Sequence, residues 1–413
     1  MTDSAQNSQK DLLSGELVLP DGINYECTGC GKCCGGWAIP MTQDDYERIT
    51  SVNWGEKHDK FKNQNLFREL KDYEMANTPY SYAIKPGQDG HCPFLVDNLC
   101  FIHSLNGPKF KPSICQLFPY SFNQTPTGTY ATISFVSMGA INNSGKALVD
   151  QREYLESKLG EFKALYPEHE PNWTSIALAT GVPLTWDEYM QLDAKLITCM
   201  SDSSKNFEDR FIAGSDILIE EFNKKRDRLG AKGNVSPALN WQDKQLIKAL
   251  RKIYYPVKPL GKGEGDFNFY KFLAQVMLNG AFPVNIDLPG HAYSIEKLAK
   301  IPFPQDDPDI SSLIYRYFFS RLFGKHYFGA GFGQLSVITG FHHLAILYAL
   351  IKLQSKASSL QRGSAAVSYL DVAAAVRQLE KRLGETSLDG MAAATFELLM
   401  FSPNRMRRIL AFS

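Results

Sequence analysis

Eight residues near the N-terminus, Cys27-Thr28-Gly29-Cys30-Gly31-Lys32-Cys33-Cys34, place three thiols at two-residue spacing and a fourth directly beside the third. Two thiols separated by two residues can face one ion when the intervening turn is tight, and Gly29 and Gly31 supply the backbone freedom for such a turn. A second group follows at His91-Cys92-Pro93-Phe94-Leu95, at Asn98-Leu99-Cys100-Phe101-Ile102-His103 and at Ser113-Ile114-Cys115. Seven of the eight cysteines in the 413 residues therefore fall between Cys27 and Cys115. Free cysteine is often a small buried apolar residue, which suits the lone Cys199 in a helical pattern but not seven thiols so close together.

The candidate metal ligands are Cys27, Cys30, Cys33, Cys34, Cys92, Cys100 and Cys115. One mononuclear zinc takes four ligands, which leaves three of these thiols over unless two sites form. Cys-x-x-Cys-x-x-Cys also opens the ferredoxin-type run that supplies three corners of a [4Fe–4S] cluster, the fourth coming from a distant cysteine. Cys27, Cys30 and Cys33 or Cys34, with Cys92, Cys100 or Cys115, would satisfy it. The sequence therefore points to a [4Fe–4S] cluster, with zinc as the alternative. The spacing is not the Cys-x-x-x-Cys-x-x-Cys of radical S-adenosylmethionine enzymes. His91 and His103 stand beside cysteines as possible ligands, and as isolated histidines in loops they read as ordinary polar residues.

The start, MTDSAQNSQKDLLSGE, lacks the basic flank and apolar stretch of a secretory signal, so the expected location is the reducing cytoplasm, where thiols stay unpaired unless a metal takes them. Forty-four basic and 44 acidic residues cancel, and nothing in that balance calls for nucleic acid as a partner. With 44% apolar residues the chain can bury a large core. The architecture expected is α+β: a flexible tail over residues 1–20, a loop-rich cysteine domain over 21–140, and a mainly helical domain over 141–413.

Within the first domain, Thr42-Gln43-Asp44-Asp45 caps a helix with Tyr46, Ile49 and Val52 inward, and the run from Tyr130 to Val136 reads as a strand. Helical periodicity then starts near Lys146–Tyr166 and continues at Trp186–Met200, behind a Thr185-x-x-Glu188 capping box. Further stripes follow at Phe207–Phe222, 241–255, 267–279, 309–328, 334–355, 365–384 and 387–401. Gly329-Ala330-Gly331-Phe332-Gly333 superficially matches a nucleotide-binding glycine loop, but the helical pattern before it makes it a turn between helices. Leu335–Leu353 is apolar enough to suggest a membrane span, yet Thr339, His342 and His343 in its middle argue for a buried helix and no span. The aromatics between Tyr315 and Phe328 read as core, and Arg405-Met406-Arg407-Arg408 as a small solubilising cluster.

The cysteine run followed by Gly36-Trp37, the Cys92-Pro93-Phe94-Leu95 segment, Leu99-Cys100, and Cys115 followed by Phe118-Pro119 together resemble the bacterial zinc- or iron-chelating family named for its CxxCxxCC motif. Within that group the chain is most similar to the flagellin lysine N-methylases. The resemblance covers about the first 140 residues and implies an iron–sulfur cluster close to an S-adenosylmethionine site, with methyl transfer to surface lysines of a protein substrate. Two positions depart from the pattern: Gln116 follows Cys115 where relatives commonly carry arginine, and Ser137 stands near where another cysteine is expected. No catalytic or cofactor-binding residue is named by the sequence.

Overall fold

Thr42 and Asp45 close a reciprocal cap: the Asp45 amide donates to Thr42 Oγ1 (3.1 Å) and the Thr42 amide to Asp45 Oδ2 (3.3 Å). Two first-turn donors of the helix Gln43–Thr50 are thereby satisfied. Its inward stripe is the expected one, with Ile49 buried and Tyr46 and Val52 packed beside it. Residues 16–35, 38–75, 78–226, 238–257, 285–385 and 390–413 are described by a computed structural model. Gly36-Trp37, residues 1–15 of the expected tail and the expected helix at 267–279 lie outside the described residues.

The chain is mixed α+β, with short strands concentrated early and long helices later. It divides into two units. One comprises Leu17–Phe122 with Ala131–Glu170, and the other includes Asn123–Tyr130 with Pro171–Ser413. The boundary expected near residue 140 therefore falls inside the cysteine-bearing unit. The reason is the helix Arg152–Leu165 and the residue after it. Arg152 donates to the Leu17 carbonyl (2.9 Å), Phe162 packs on Phe122, and Tyr166 shares a 2.6 Å hydrogen bond with Tyr80. That helix begins later than Lys146, because Lys146–Ala147 instead pairs with Asn24–Tyr25 as strand. Likewise Leu17–Val18, inside the expected tail, forms a strand in the sheet with Tyr120–Thr125 and Gly128–Ile133.

In the cysteine-bearing unit, Ile39–Met41, Tyr82–Ile84 and Phe67–Glu69 form an antiparallel sheet with Tyr82–Ile84 central. Leu95–Val96 and Leu99–Cys100 form a hairpin whose two turn residues, Asp97 and Asn98, both hold left-handed φ (50° and 63°). That is the geometry which matches the twist of paired strands. Met41, Ile49, Trp54, Phe61, Ile84, Phe94 and Ile102 make the apolar core.

The helical unit is organised around Val337–Gln361, against which Phe207–Lys225, Tyr369–Glu385, Gly390–Met400 and Pro403–Phe412 pack. By length and composition this helix could cross a membrane, but its apolar window is wholly buried within the protein. Its polar residues are partnered. His342 accepts from Ser215 (2.7 Å) and faces the Met400 carbonyl (2.7 Å), while His343 meets the Tyr254 hydroxyl (2.9 Å). The Thr185–Glu188 capping box is present, and Gly329–Gly331 is a 3-10 turn between helices, as its sequence context requires. The Arg405–Arg408 cluster is not a solubilising patch: Arg405 and Arg408 both pair with the wholly buried carboxylate of Asp243, and Arg407 pairs with Asp216.

Candidate metal centre

Each inner thiol is brought in by a specific local device. The Cys92 amide donates to the Cys34 carbonyl (2.7 Å), and Gly35 bridges to His91, which ties the end of the cysteine run to the second cysteine segment. Cys100 enters through the hairpin, where it pairs with Leu95, whose amide in turn donates to the Cys92 carbonyl (2.9 Å). Cys115 sits on the short helix Ser113–Leu117, and Asp45 holds that helix. The Ser113 amide and hydroxyl both donate to the Asp45 carboxylate (2.9 Å each). Arg48 pairs with Asp45 and donates to the Lys111 carbonyl (3.0 Å). Asp45 is wholly buried, so this clamp works free of solvent competition. Gln116 adds to it by donating its amide to the carbonyls of Lys109 (3.0 Å) and Lys111 (2.7 Å).

The result is that Cys34, Cys92, Cys100 and Cys115 all belong to one apolar cluster with Phe94, Ile102 and Ile114. Their thiols lie within electrostatic reach of one another. Cys33 hydrogen-bonds Cys34 and is also within reach of Cys115. Cys27 is exposed, and Cys30 is half-buried outside that cluster. Of the seven sequence candidates, the structure therefore packs four into or against one apolar cluster, with Cys92 buried and Cys34, Cys100 and Cys115 half-buried, places half-buried Cys33 beside Cys34, and leaves Cys27 and Cys30 outside that cluster.

None of the eight cysteines forms a disulfide. Burial pushes Cys92 up to about 12 and raises Cys115 well above the usual thiol range. Cys34 is raised first by its hydrogen bond with Cys33 and then by burial. Without a cation Cys34, Cys92 and Cys115 are held protonated, so a bound metal must supply the charge that stabilises their thiolates, and its binding releases protons. Among the described residues, no three Cys, His, Asp or Glu side chains already surround one point at metal-holding distance. The donor set suits zinc or iron, both of which accept all-thiolate coordination.

The histidines are not part of this convergence. His91 is exposed with Nδ1 against the Asp89 carbonyl (3.1 Å), and His103 is exposed on the helix Phe101–Asn106. Sequence reasoning missed Asp45 as a positioning residue. The visible signal was its place in the capping sequence Thr42-Gln43-Asp44-Asp45, which explains one of its roles but says nothing of Ser113, 68 residues away.

The sequence profile of the CxxCxxCC family, described as "Putative zinc- or iron-chelating domain", matches residues 26–136. An uncharacterized protein of Methanocaldococcus jannaschii is 35% identical over 216 residues, spanning 49% of this chain and 67% of that protein. No solved structure matches the chain. The matched segment begins just before Cys27 and ends after Cys115, so it contains every cysteine of the converging set, and this protein belongs to the CxxCxxCC family of zinc- or iron-chelating domains.

Proposed function

We propose that the cysteine-bearing unit holds a [4Fe–4S] cluster and that the protein uses S-adenosylmethionine to methylate surface lysines of a protein substrate in the reducing cytoplasm. The observation that carries the metal reading is the packing of Cys34, Cys92, Cys100 and Cys115 in one cluster, drawn from segments far apart in sequence. Four cysteine thiolates are the set such a cluster takes, and seven neighbouring thiols exceed what one zinc needs. The methyl-transfer part rests on the resemblance to flagellin lysine N-methylases. In that chemistry a neutral lysine Nζ attacks the sulfonium methyl, the carbon–sulfur bond breaks to give S-adenosylhomocysteine, and the amine loses a proton.

A second reading has the same four thiols close around one zinc or iron ion with no catalysis, in metal handling or assembly of another complex. It is favoured by their number, which matches a closed tetrahedral site. Anaerobic purification followed by an absorption spectrum and iron, zinc and sulfide analysis separates the two. A brown protein absorbing near ~400 nm with about four iron and four sulfide per chain supports the cluster. Calorimetry with S-adenosylmethionine, and mass spectrometry for methylated lysine, then test the transfer. A colourless protein with tightly held zinc would remove the methylase reading.

A further inference from the structure

Three tyrosines converge beside the start of the cysteine run and belong neither to its apolar cluster nor to the candidate ligands. Tyr25 lies on the strand Asn24–Tyr25, Tyr120 opens the strand Tyr120–Thr125, and Tyr154 is on the helix Arg152–Leu165. Their rings meet edge to face, Tyr25 and Tyr120 at 5.5 Å and 82°, Tyr120 and Tyr154 at 5.8 Å and 69°. Near-perpendicular rings make corners in which two electron-rich faces border one space, whereas stacked rings cover each other's faces. The Tyr120 and Tyr154 phenols lie within electrostatic reach of each other, as do those of Tyr25 and Tyr154. Tyr25 is fixed at the inner end: Gln151 donates to its carbonyl (3.2 Å), and a methyl at Gly139 would stand 2.9 Å from its Cε2. Exposure then rises outward, from 8% at Tyr25 through half-buried Tyr120 to 48% at Tyr154. Cys27 is exposed within electrostatic reach of Tyr25 and Tyr120. Past Cys27 the chain runs over the Leu95–Cys100 hairpin. Gly29 and Gly31 both hold left-handed φ (63° and 66°), and a methyl would lie 3.2 Å from Leu99 Cδ2 at Gly29 and 2.8 Å from Leu95 Cδ1 at Gly31. One cation already uses the outer ring: Lys158 Nζ stands 5.5 Å from the Tyr154 centroid, its charge balanced by Glu161 (2.7 Å).

We infer that this tyrosine corner docks the ammonium group of a lysine side chain on a protein substrate. Tyr120 and Tyr154 supply the ring faces and phenol oxygens, and Tyr25 backs the Tyr120 ring from the buried side. A cation over an aromatic face is attracted by the ring quadrupole, phenol oxygens accept from its N–H donors, and the aliphatic stem of lysine packs on ring carbons. The choice of lysine as the cation rests on the lysine-methylation reading. To that reading the corner adds the residues that position the acceptor nitrogen, and it sets that nitrogen beside Cys27. Docking involves no transfer step, so it is measurable whether or not a methyl group moves.

The test gives the full-length protein two short blocked peptides that differ only in a central lysine or norleucine, the latter keeping the stem and lacking the ammonium. Affinities are read by saturation-transfer NMR. The wild-type protein is expected to prefer the lysine peptide about tenfold, the effect of two ring faces at exposed-site strength. Tyr154→Leu and Tyr120→Leu, each checked for native circular dichroism, are expected to bring the two peptides within about twofold of each other. Tyr154→Phe, which keeps the ring, is expected to retain most of the preference. A merely structural role for Tyr154 would weaken both peptides together and leave their ratio unchanged. Absence of a lysine preference in the wild-type protein, or its persistence in Tyr154→Leu, overturns the inference. Loss of S-adenosylmethionine affinity in Tyr154→Leu with the lysine preference intact would assign the corner to the sulfonium of the methyl donor and overturn it too. A tyrosine-dependent lysine preference in a protein that yields no methyl-lysine would keep the docking site and remove the methylase reading instead.

Discussion

Replacing Asp45 with alanine is the sharpest single test of how the cysteine-bearing unit is held. The carboxylate is wholly buried and accepts from the amides of Thr42 and Ser113, from the Ser113 hydroxyl and from Arg48. Asp45→Ala strands the Ser113 amide and hydroxyl and removes the carboxylate partner of Arg48, which keeps only the Lys111 carbonyl while its Nε is already buried without a partner. Hydrogen bonds to a charged group contribute about 1.5–3 kcal/mol each, and breaking a buried pair costs about 3–5 kcal/mol. These terms overlap, so we expect a loss of about 4 kcal/mol. For a unit of this size that corresponds to a fall in Tm of roughly 8–16 °C. Asp45→Asn keeps the shape and part of the accepting capacity and should lose about half as much. Alkylation of Cys115, read by peptide mass spectrometry, reports the local effect. It should accelerate strongly in Asp45→Ala, because the helix Ser113–Leu117 is no longer clamped. If Asp45→Ala melts within about 2 °C of wild type and Cys115 stays protected, the clamp contributes less than about 1 kcal/mol and the argument is wrong.

Two further predictions concern the helical unit. Burial lowers His342 to about 4 and His343 to about 3, whereas in the unfolded chain both sit near 6.5. The unfolded state therefore takes up protons first as pH falls below about 6.5, and the unit should lose a few kcal/mol between there and about pH 4. His343→Gln, which keeps a group able to reach Tyr254, should flatten that part of a denaturant midpoint-versus-pH curve, and an unchanged slope would count against it. Lys325 holds left-handed φ (58°) and pairs with Asp193 (2.6 Å), both nearly buried, while Tyr189 donates to the same carboxylate (2.8 Å). Lys325→Met alone strands the carboxylate and should cost about 3–5 kcal/mol, while the added change Asp193→Leu should recover much of it. A double variant no more stable than Lys325→Met in urea unfolding would refute that account.

Much of this fold is legible in the sequence because its signals are local. The Thr185–Glu188 box, the inward stripe of Gln43–Thr50 and the apolar run of Val337–Gln361 each specify a helix through contacts within a few residues. The density of thiols likewise announces a metal-binding region before any coordinate is known. What is not legible depends on pairing across long sequence separations. Asp243 is a helix-capping acid by its neighbourhood, and nothing near it shows that Arg405 and Arg408 will turn inward to meet it. The same holds for Asp45 and Ser113. The cysteine run shows the limit most clearly. Its two-residue spacing suggests that Cys27, Cys30 and Cys33 act as equals, yet the left-handed glycines lift the loop over the hairpin, and Cys34, the residue outside that spacing, is the one packed with Cys92, Cys100 and Cys115. Spacing shows which thiols can reach a common ion; only the packing of distant segments shows which of them share one apolar cluster.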